Sequence, residues 1–238
     1  MSAFDRVELL LGEENLKKLN NLSVAVFGIG GVGGYATEAL VRSGVGSITV
    51  FDNDVVSESN LNRQIIATAN AIGKDKVAVM KDRLLSINPA LNFSGHNVFY
   101  LPENADEFDL SKFDYIIDAV DTVSAKIEII MRAKKANVPV ISCMGTGGKT
   151  DPTMLKVADI SKTSGCPLAR VVRRELKNRS ITGVKTVYSE EQFEILGDSG
   201  LAEKTATGRS VPPSMIFVPA SAGLLIAREV VFDLIKKD

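Results

Sequence analysis

The stretch Val24-Ala-Val-Phe-Gly28-Ile-Gly30-Gly31-Val-Gly33-Gly34 decides the fold of this 238-residue chain. Four apolar residues in succession fit a strand buried on both faces, the kind found in parallel sheets. The glycines allow a tight turn with positive φ, and they let a backbone touch a phosphate resting on the amides and positive dipole of a helix N-terminus. About Gly33 to Ser43 reads as that helix, and a second strand, Ser47 to Phe51, ends at Asp52. Asp52 stands 19 residues after Gly33, where an acidic side chain meets ribose hydroxyls. Gly28, Gly30, Gly31, Gly33 and Asp52 are therefore candidate contacts of a purine nucleotide, with NAD and ATP as the alternatives.

The alternation continues outward from this unit. A helix is predicted from about Asp75 to Ile87, then strands near Asn92 to Tyr100 and Tyr115 to Val120, a helix from Ser124 to Ala136, and a strand from Val138 to Cys143. Strand and helix in alternation predict an α/β fold: a doubly wound, Rossmann-like, mostly parallel sheet covered on both faces. Upstream, Val7, Leu10, Leu11, Leu16 and Leu19 predict a helix interrupted by Gly12. After Met144 come a strand over Met154 to Ile160, a helix from Pro167 to about Asn178 and a short strand near Val184 to Tyr188. Glu190 to Pro213 reads as a mobile polar loop, and Ser221 to Lys236 as an apolar helix that packs back on the sheet. Without repeat or linker, the expectation is one domain, with a core over 20–150 and a C-terminal elaboration over 151–238.

Hydrophobic residues make up 45% of the chain and charged residues 24%, a balance that excludes disorder, collagen and coiled coil. No apolar run approaches the roughly 18 residues needed to span a bilayer, and no signal-peptide pattern opens the chain, so no membrane partner and a cytoplasmic location are expected. Two cysteines cannot build a disulfide framework or a four-thiolate zinc site.

Beyond Asp52 lies the run Asp52-Asn-Asp54-Val-Val-Ser-Glu-Ser59-Asn60-Leu-Asn62-Arg63-Gln64, followed by Gly73-Lys-Asp-Lys76 and by Ile117-Asp118-Ala-Val-Asp121-Thr122. This ordered set resembles the ubiquitin-activating-enzyme-like superfamily, whose molybdopterin and thiamin branches are ATP-dependent adenylyltransferases. Within it, the opening Arg6-Val-Glu-Leu-Leu-Leu, the Asp151-Pro152-Thr153 loop and the segments Ile160 to Thr163 and Pro167 to Arg170 are similar to the tRNA threonylcarbamoyladenosine dehydratases.

That resemblance implies ATP and Mg²⁺ as cofactors and tRNA as substrate, whose threonylcarbamoyladenosine carboxylate becomes an acyl-adenylate before cyclising with loss of water. Lys76 would hold the phosphates, Asp121 would coordinate the metal, and Asp52, Asp54 and Asn60 would hold ribose and phosphate oxygens. In a homodimer, Arg63 and Arg6 match residues that reach the triphosphate from the partner subunit. Fixed cations and a metal suit the chemistry, since attack on the α-phosphate concentrates negative charge there and on the departing pyrophosphate. A second activity, adenylation of the C-terminus of a ubiquitin-like or sulfur-carrier protein, stays open, as do a nucleotide-binding role without chemistry and a sulfur-relay protein partner. The two CxxC pairs of many molybdopterin-type relatives are absent.

Cys143, at the end of an apolar strand, reads as a small core hydrophobe, while Cys166 before Pro167 stands at a helix N-terminus that can activate a thiol. The lone histidine, His96, reads as a solvent-facing or turn residue without catalysis. From Ser161 to Lys185, seven cations face Glu175 alone, leaving net −7 on the rest of the chain. Arg170, Arg173, Arg174 and Lys177 fall on one face of the predicted helix, an arrangement that suits a phosphate backbone and is equally the pattern of a solvated face.

Overall fold

A computed structural model describes residues 3–192 and 212–236. Strands β1 (Ser23–Phe27), β2 (Ser47–Phe51), β3 (Asn92–His96), β4 (Tyr115–Asp118), β5 (Val140–Cys143), β6 (Leu155–Asp159) and β7 (Lys185–Ser189) form one sheet in the order β3-β2-β1-β4-β5-β7-β6. All pairings are parallel except that of β6 with β7. The helices are α1 (Asp5–Leu11), α2 (Glu13–Asn20), α3 (Gly33–Arg42), α4 (Lys76–Ile87), α5 (Val123–Lys135), α6 (Pro167–Asn178) and α7 (Phe217–Ile235). The doubly wound α/β expectation holds, and the segment predicted as a mobile loop lies mostly outside the described residues.

Strand alternation sorts the core into two layers. Val24 and Val26 of β1 enter a cluster with Ala36 and Leu40 of α3, Met80 and Leu84 of α4, and Ile226 and Val230 of α7. Ala25 and Phe27 point the other way, into a cluster with Ile127, Ile130 and Ala133 of α5 and Val172 and Leu176 of α6. The central strands β1, β4 and β5 are buried on both faces, hence their unbroken apolar runs. Each such side chain contributes roughly 1.5–3 kcal/mol by leaving solvent.

Two boundaries differ most from expectation. α7 starts at Phe217, four residues early, because Pro219 sits in its first turn, where a missing N–H costs nothing. β3 stops at His96, whose ring stacks on Phe51 at 4.7 Å and meets Phe108 edge-on at 5.2 Å. His96 is thus half-buried rather than solvent-facing, and that burial lowers its pKa. At the N-terminal end of the strands, Tyr115 donates to Asp233 at 2.8 Å and Lys185 pairs with Asp233 and Glu229, fastening α7.

β1 and β4 flank the point where strand order reverses, and the register aligns Phe27 with both Phe51 and Asp118. The carboxyl ends of β1, β2 and β4 therefore open on one crevice, the place where this architecture binds ligands.

Candidate active site

β1 runs straight into the glycine turn. Gly28 has φ +81°, and a Cβ there would lie 2.9 Å from the Ala119 carbonyl oxygen; a Cβ on Gly33 would lie 1.8 Å from the Gly28 oxygen. Those two glycines are required by the turn itself. Gly30 is different: its φ is not positive, and a Cβ would make only ordinary contact with Gln64, at 3.7 Å. The protein alone does not need glycine there, and the bare backbone suits a ligand lying against it.

Asp52 locks the turn to the following loop. Its Oδ2 accepts from the Ile29 N–H at 2.8 Å and its Oδ1 from the Asp54 N–H at 2.9 Å. Further on, Lys76 at the start of α4 donates to Asp54 at 2.6 Å, with the lysine side chain 5% exposed and the aspartate 61%. The Lys76 amide also donates to the Asp54 carbonyl at 3.0 Å, so the loop is held at both ends. Asn60 is buried, its Oδ1 accepting from the Ser57 N–H at 3.2 Å, which shapes the loop.

Arg63 donates to the Ser59 carbonyl at 2.7 Å and to Asn62 Oδ1 at 2.9 Å, and its stem lies 3.6 Å from where a Gly31 Cβ would stand. Within its own chain Arg63 thus stands beside the glycine turn. Arg6 is exposed on α1, a helix that buries none of its side chains. Gln64 is 8% exposed, with an Oε1 that is buried and accepts no hydrogen bond.

At the end of β4 two aspartates have opposite surroundings. Asp118 is fully buried, bound by Lys126 Nζ at 2.9 and 3.0 Å and by the Ser142 hydroxyl. Asp121 is exposed, with one long hydrogen bond from the Thr122 hydroxyl at 3.4 Å. Among the described residues no group of three His, Cys, Asp or Glu side chains could hold a metal. Mg²⁺ keeps waters and takes one or two carboxylates together with substrate phosphates; Asp121 is an exposed carboxylate of that kind.

On α6, Arg170, Arg174 and Lys177 are exposed, whereas Arg173 is half-buried and donates to both the carbonyl and the hydroxyl of Thr163 at 2.6 Å. Arg174 additionally lies 3.6 Å from Glu175. Cys143 is buried, which pushes its thiol up to about 12, and Cys166 is buried as well.

Sequence reasoning missed Lys126 and Glu191. The signal for Lys126 is a lysine in the apolar stripe it shares with Ile129, Ile130 and Ala133 on α5. Glu191 carries none; its carboxylate accepts from the Thr150 and Asp151 amides and the Thr150 hydroxyl. Although burial opposes its charge, those bonds hold it below the usual carboxylate range.

Comparison with known proteins agrees with this fold. A tRNA threonylcarbamoyladenosine dehydratase of Bacillus subtilis is 42% identical over 98% of this chain and 94% of its own. One from Escherichia coli is 37% identical over 76% of this chain and 71% of its own. Crystal structures of an Escherichia coli tRNA N6-threonylcarbamoyladenosine dehydratase, in complex with ATP and with AMP, match with a TM-score of 0.87 and 31% identity, over 97% of this chain and 93% of theirs. The model of the ThiF family matches residues 4–237, and the chain belongs to that family.

Proposed function

We propose that the chain is an ATP-dependent tRNA dehydratase that activates the carboxylate of threonylcarbamoyladenosine as an acyl-adenylate and then cyclises it. What supports this reading is a glycine turn at the switch point of the sheet and a buried Lys76 whose ion-pair partner among the described residues is an exposed aspartate, in a chain so similar over its length to proteins of that name. A carboxylate oxygen attacks the α-phosphorus and the bond to pyrophosphate breaks. The carbamoyl group of the same nucleoside then attacks the acyl carbon, and AMP leaves with the carboxylate oxygen while a proton passes to solvent. The oxygen of the lost water ends on AMP.

Each residue has a task in that sequence. Lys76 exchanges its exposed partner Asp54 for a phosphate, and Arg63 adds a second cation beside Gly31. Asp52 and Asn60 hold the loops against which ribose and phosphates rest. Asp121 would hold Mg²⁺, which when bound offsets charge on the departing pyrophosphate. Exposed Arg170, Arg174 and Lys177 fit the tRNA phosphate backbone, at a location we take as cytoplasmic.

A homodimer is part of the proposal, with Arg6 completing the partner's site. Its support is α1, which buries none of its own side chains and exposes Leu9 and Leu10. Mixing inactive Arg6→Ala and Asp121→Ala subunits under exchange should restore about a quarter of the parent activity, because half the dimers are mixed and each holds one intact site. Arg63→Ala mixed with Asp121→Ala tells which site Arg63 serves: recovery to about a quarter places it in the partner's site, and no recovery places it in its own.

The activity is tested by pyrophosphate exchange and nucleoside mass analysis. Exchange should depend on tRNA carrying threonylcarbamoyladenosine, and the product nucleoside should be lighter by one water. Exchange supported by a carrier protein instead would favour adenylation of a protein C-terminus.

A further inference from the structure

Gln64 follows Arg63 in the loop and has no place in the chemistry described above. Its backbone is fixed, the N–H donating to the Asn60 carbonyl at 3.0 Å, and the residue is more than nine-tenths buried. Yet its buried Oε1 has no hydrogen-bond partner among the described residues. Leaving a buried amide unpaired is costly, and a methionine of the same length would fill the space without that cost. The Nε2 points at the turn, 3.7 Å from where a Cβ on Gly30 would stand. Gly30 is also the glycine that the turn does not itself require. An unpaired buried amide and an unneeded bare backbone thus face the same small space.

We infer that Gln64 is a nucleotide-binding residue whose side-chain amide donates a hydrogen bond to a phosphoryl oxygen seated against Gly30. The inference rests on the proposed reading of the crevice as an ATP site. A neutral donor differs usefully from Lys76 and Arg63: it fixes the position of an oxygen without adding charge, and it needs no counter-ion while the site is empty. A hydrogen bond to a charged oxygen is stronger than one between neutral groups. Its loss should be visible in binding.

The test compares Gln64→Met and Gln64→Glu with the parent, using calorimetric titration with ATP and thermal unfolding of the nucleotide-free protein. Gln64→Met should weaken ATP binding about ten- to hundredfold, the size of a lost hydrogen bond to a charged group. It should leave Tm unchanged or higher, because an unsatisfied buried oxygen disappears. Gln64→Glu should bind ATP more weakly than Gln64→Met, since a carboxylate then faces the phosphates. Adenosine, lacking phosphates, should bind all three alike. A Gln64→Met protein that binds ATP as tightly as the parent overturns the inference, and so does one whose Tm falls while ATP and adenosine binding weaken together. A parent that binds no ATP overturns the reading of the crevice itself.

Discussion

Lys76 and Lys126 are both buried lysines, each with one carboxylate, and each stands near a strand end that opens on the crevice. They differ in what surrounds the partner. Lys126 and Asp118 are 0% exposed and the pair is closed by Ser142, whereas Lys76 is 5% exposed against an Asp54 that is 61% exposed. A carboxylate in water can release its lysine to another anion at little cost, because solvent takes over its hydration. A carboxylate sealed in the core cannot, since its charge has no other compensation. The open pair can therefore bind a ligand, and the sealed pair can only hold the end of β4 and the start of α5 in place.

The sharpest way to break that contrast is to remove the two lysines separately. Lys126→Met leaves Asp118 buried and unpaired, which should cost about 3–5 kcal/mol. In a chain of this size that lowers Tm by about 10 °C, measurable by calorimetry. Pairing it with Asp118→Leu should recover much of the loss, because no charge then remains buried. Lys76→Met leaves Asp54 hydrated and should change stability by less than about 1 kcal/mol. If both variants lost stability equally, the distinction between open and sealed pairs would fail.

Activity should show the opposite order. Lys76→Met should slow pyrophosphate exchange by about 10²–10³-fold, the usual cost of removing a group that meets charge developing in the transition state. Asp121→Ala should act in the same direction, by about 10²-fold, while changing ATP affinity far less, because metal compensation grows as pyrophosphate departs. A matching loss in affinity and rate would assign Asp121 to ground-state binding instead.

The sequence made the open parts of the site legible, and physical reasons explain why it hid the rest. The glycine turn and Asp52 are legible from spacing beside strand ends, while Lys76 and Asp121 stand out only through the family resemblance of the runs that hold them. Lys126 sits eight residues from Asp118, on a helix that carries four other charged residues, and only the packed fold shows that its ammonium turns inward. Glu191 meets Thr150 and Asp151 across some forty residues of chain, a pairing that no local pattern encodes. Arg63 shows a different limit: a motif fixes which residues gather and not which subunit they serve. His96 was misread for a related reason: its neighbour Phe108 comes from a distant segment, and the ring cluster exists only once the chain has folded.

The smallest expected effect extends the contrast to α6, where four cations share a face and only one is engaged in shaping the protein. Arg173 ties the helix to the turn at Thr163 through two hydrogen bonds, so Arg173→Ala should lower stability by about 1–3 kcal/mol. Its effect on tRNA binding should come mainly through that loss. Arg170 and Lys177 are exposed and make no comparable bond, so replacing both with Ala should leave Tm within about a degree or two. What should change is the salt dependence of tRNA binding. Each lost phosphate contact removes roughly 0.7–0.9 from the slope of log affinity against log salt, so the double variant should flatten it by about 1.4 to 1.8. ATP affinity should stay at the parent value, since neither side chain belongs to the cradle. A slope unchanged in the double variant would make the exposed cations a solvated face, and a slope changed only by Arg173→Ala would place the tRNA contact at the one cation the fold has already occupied.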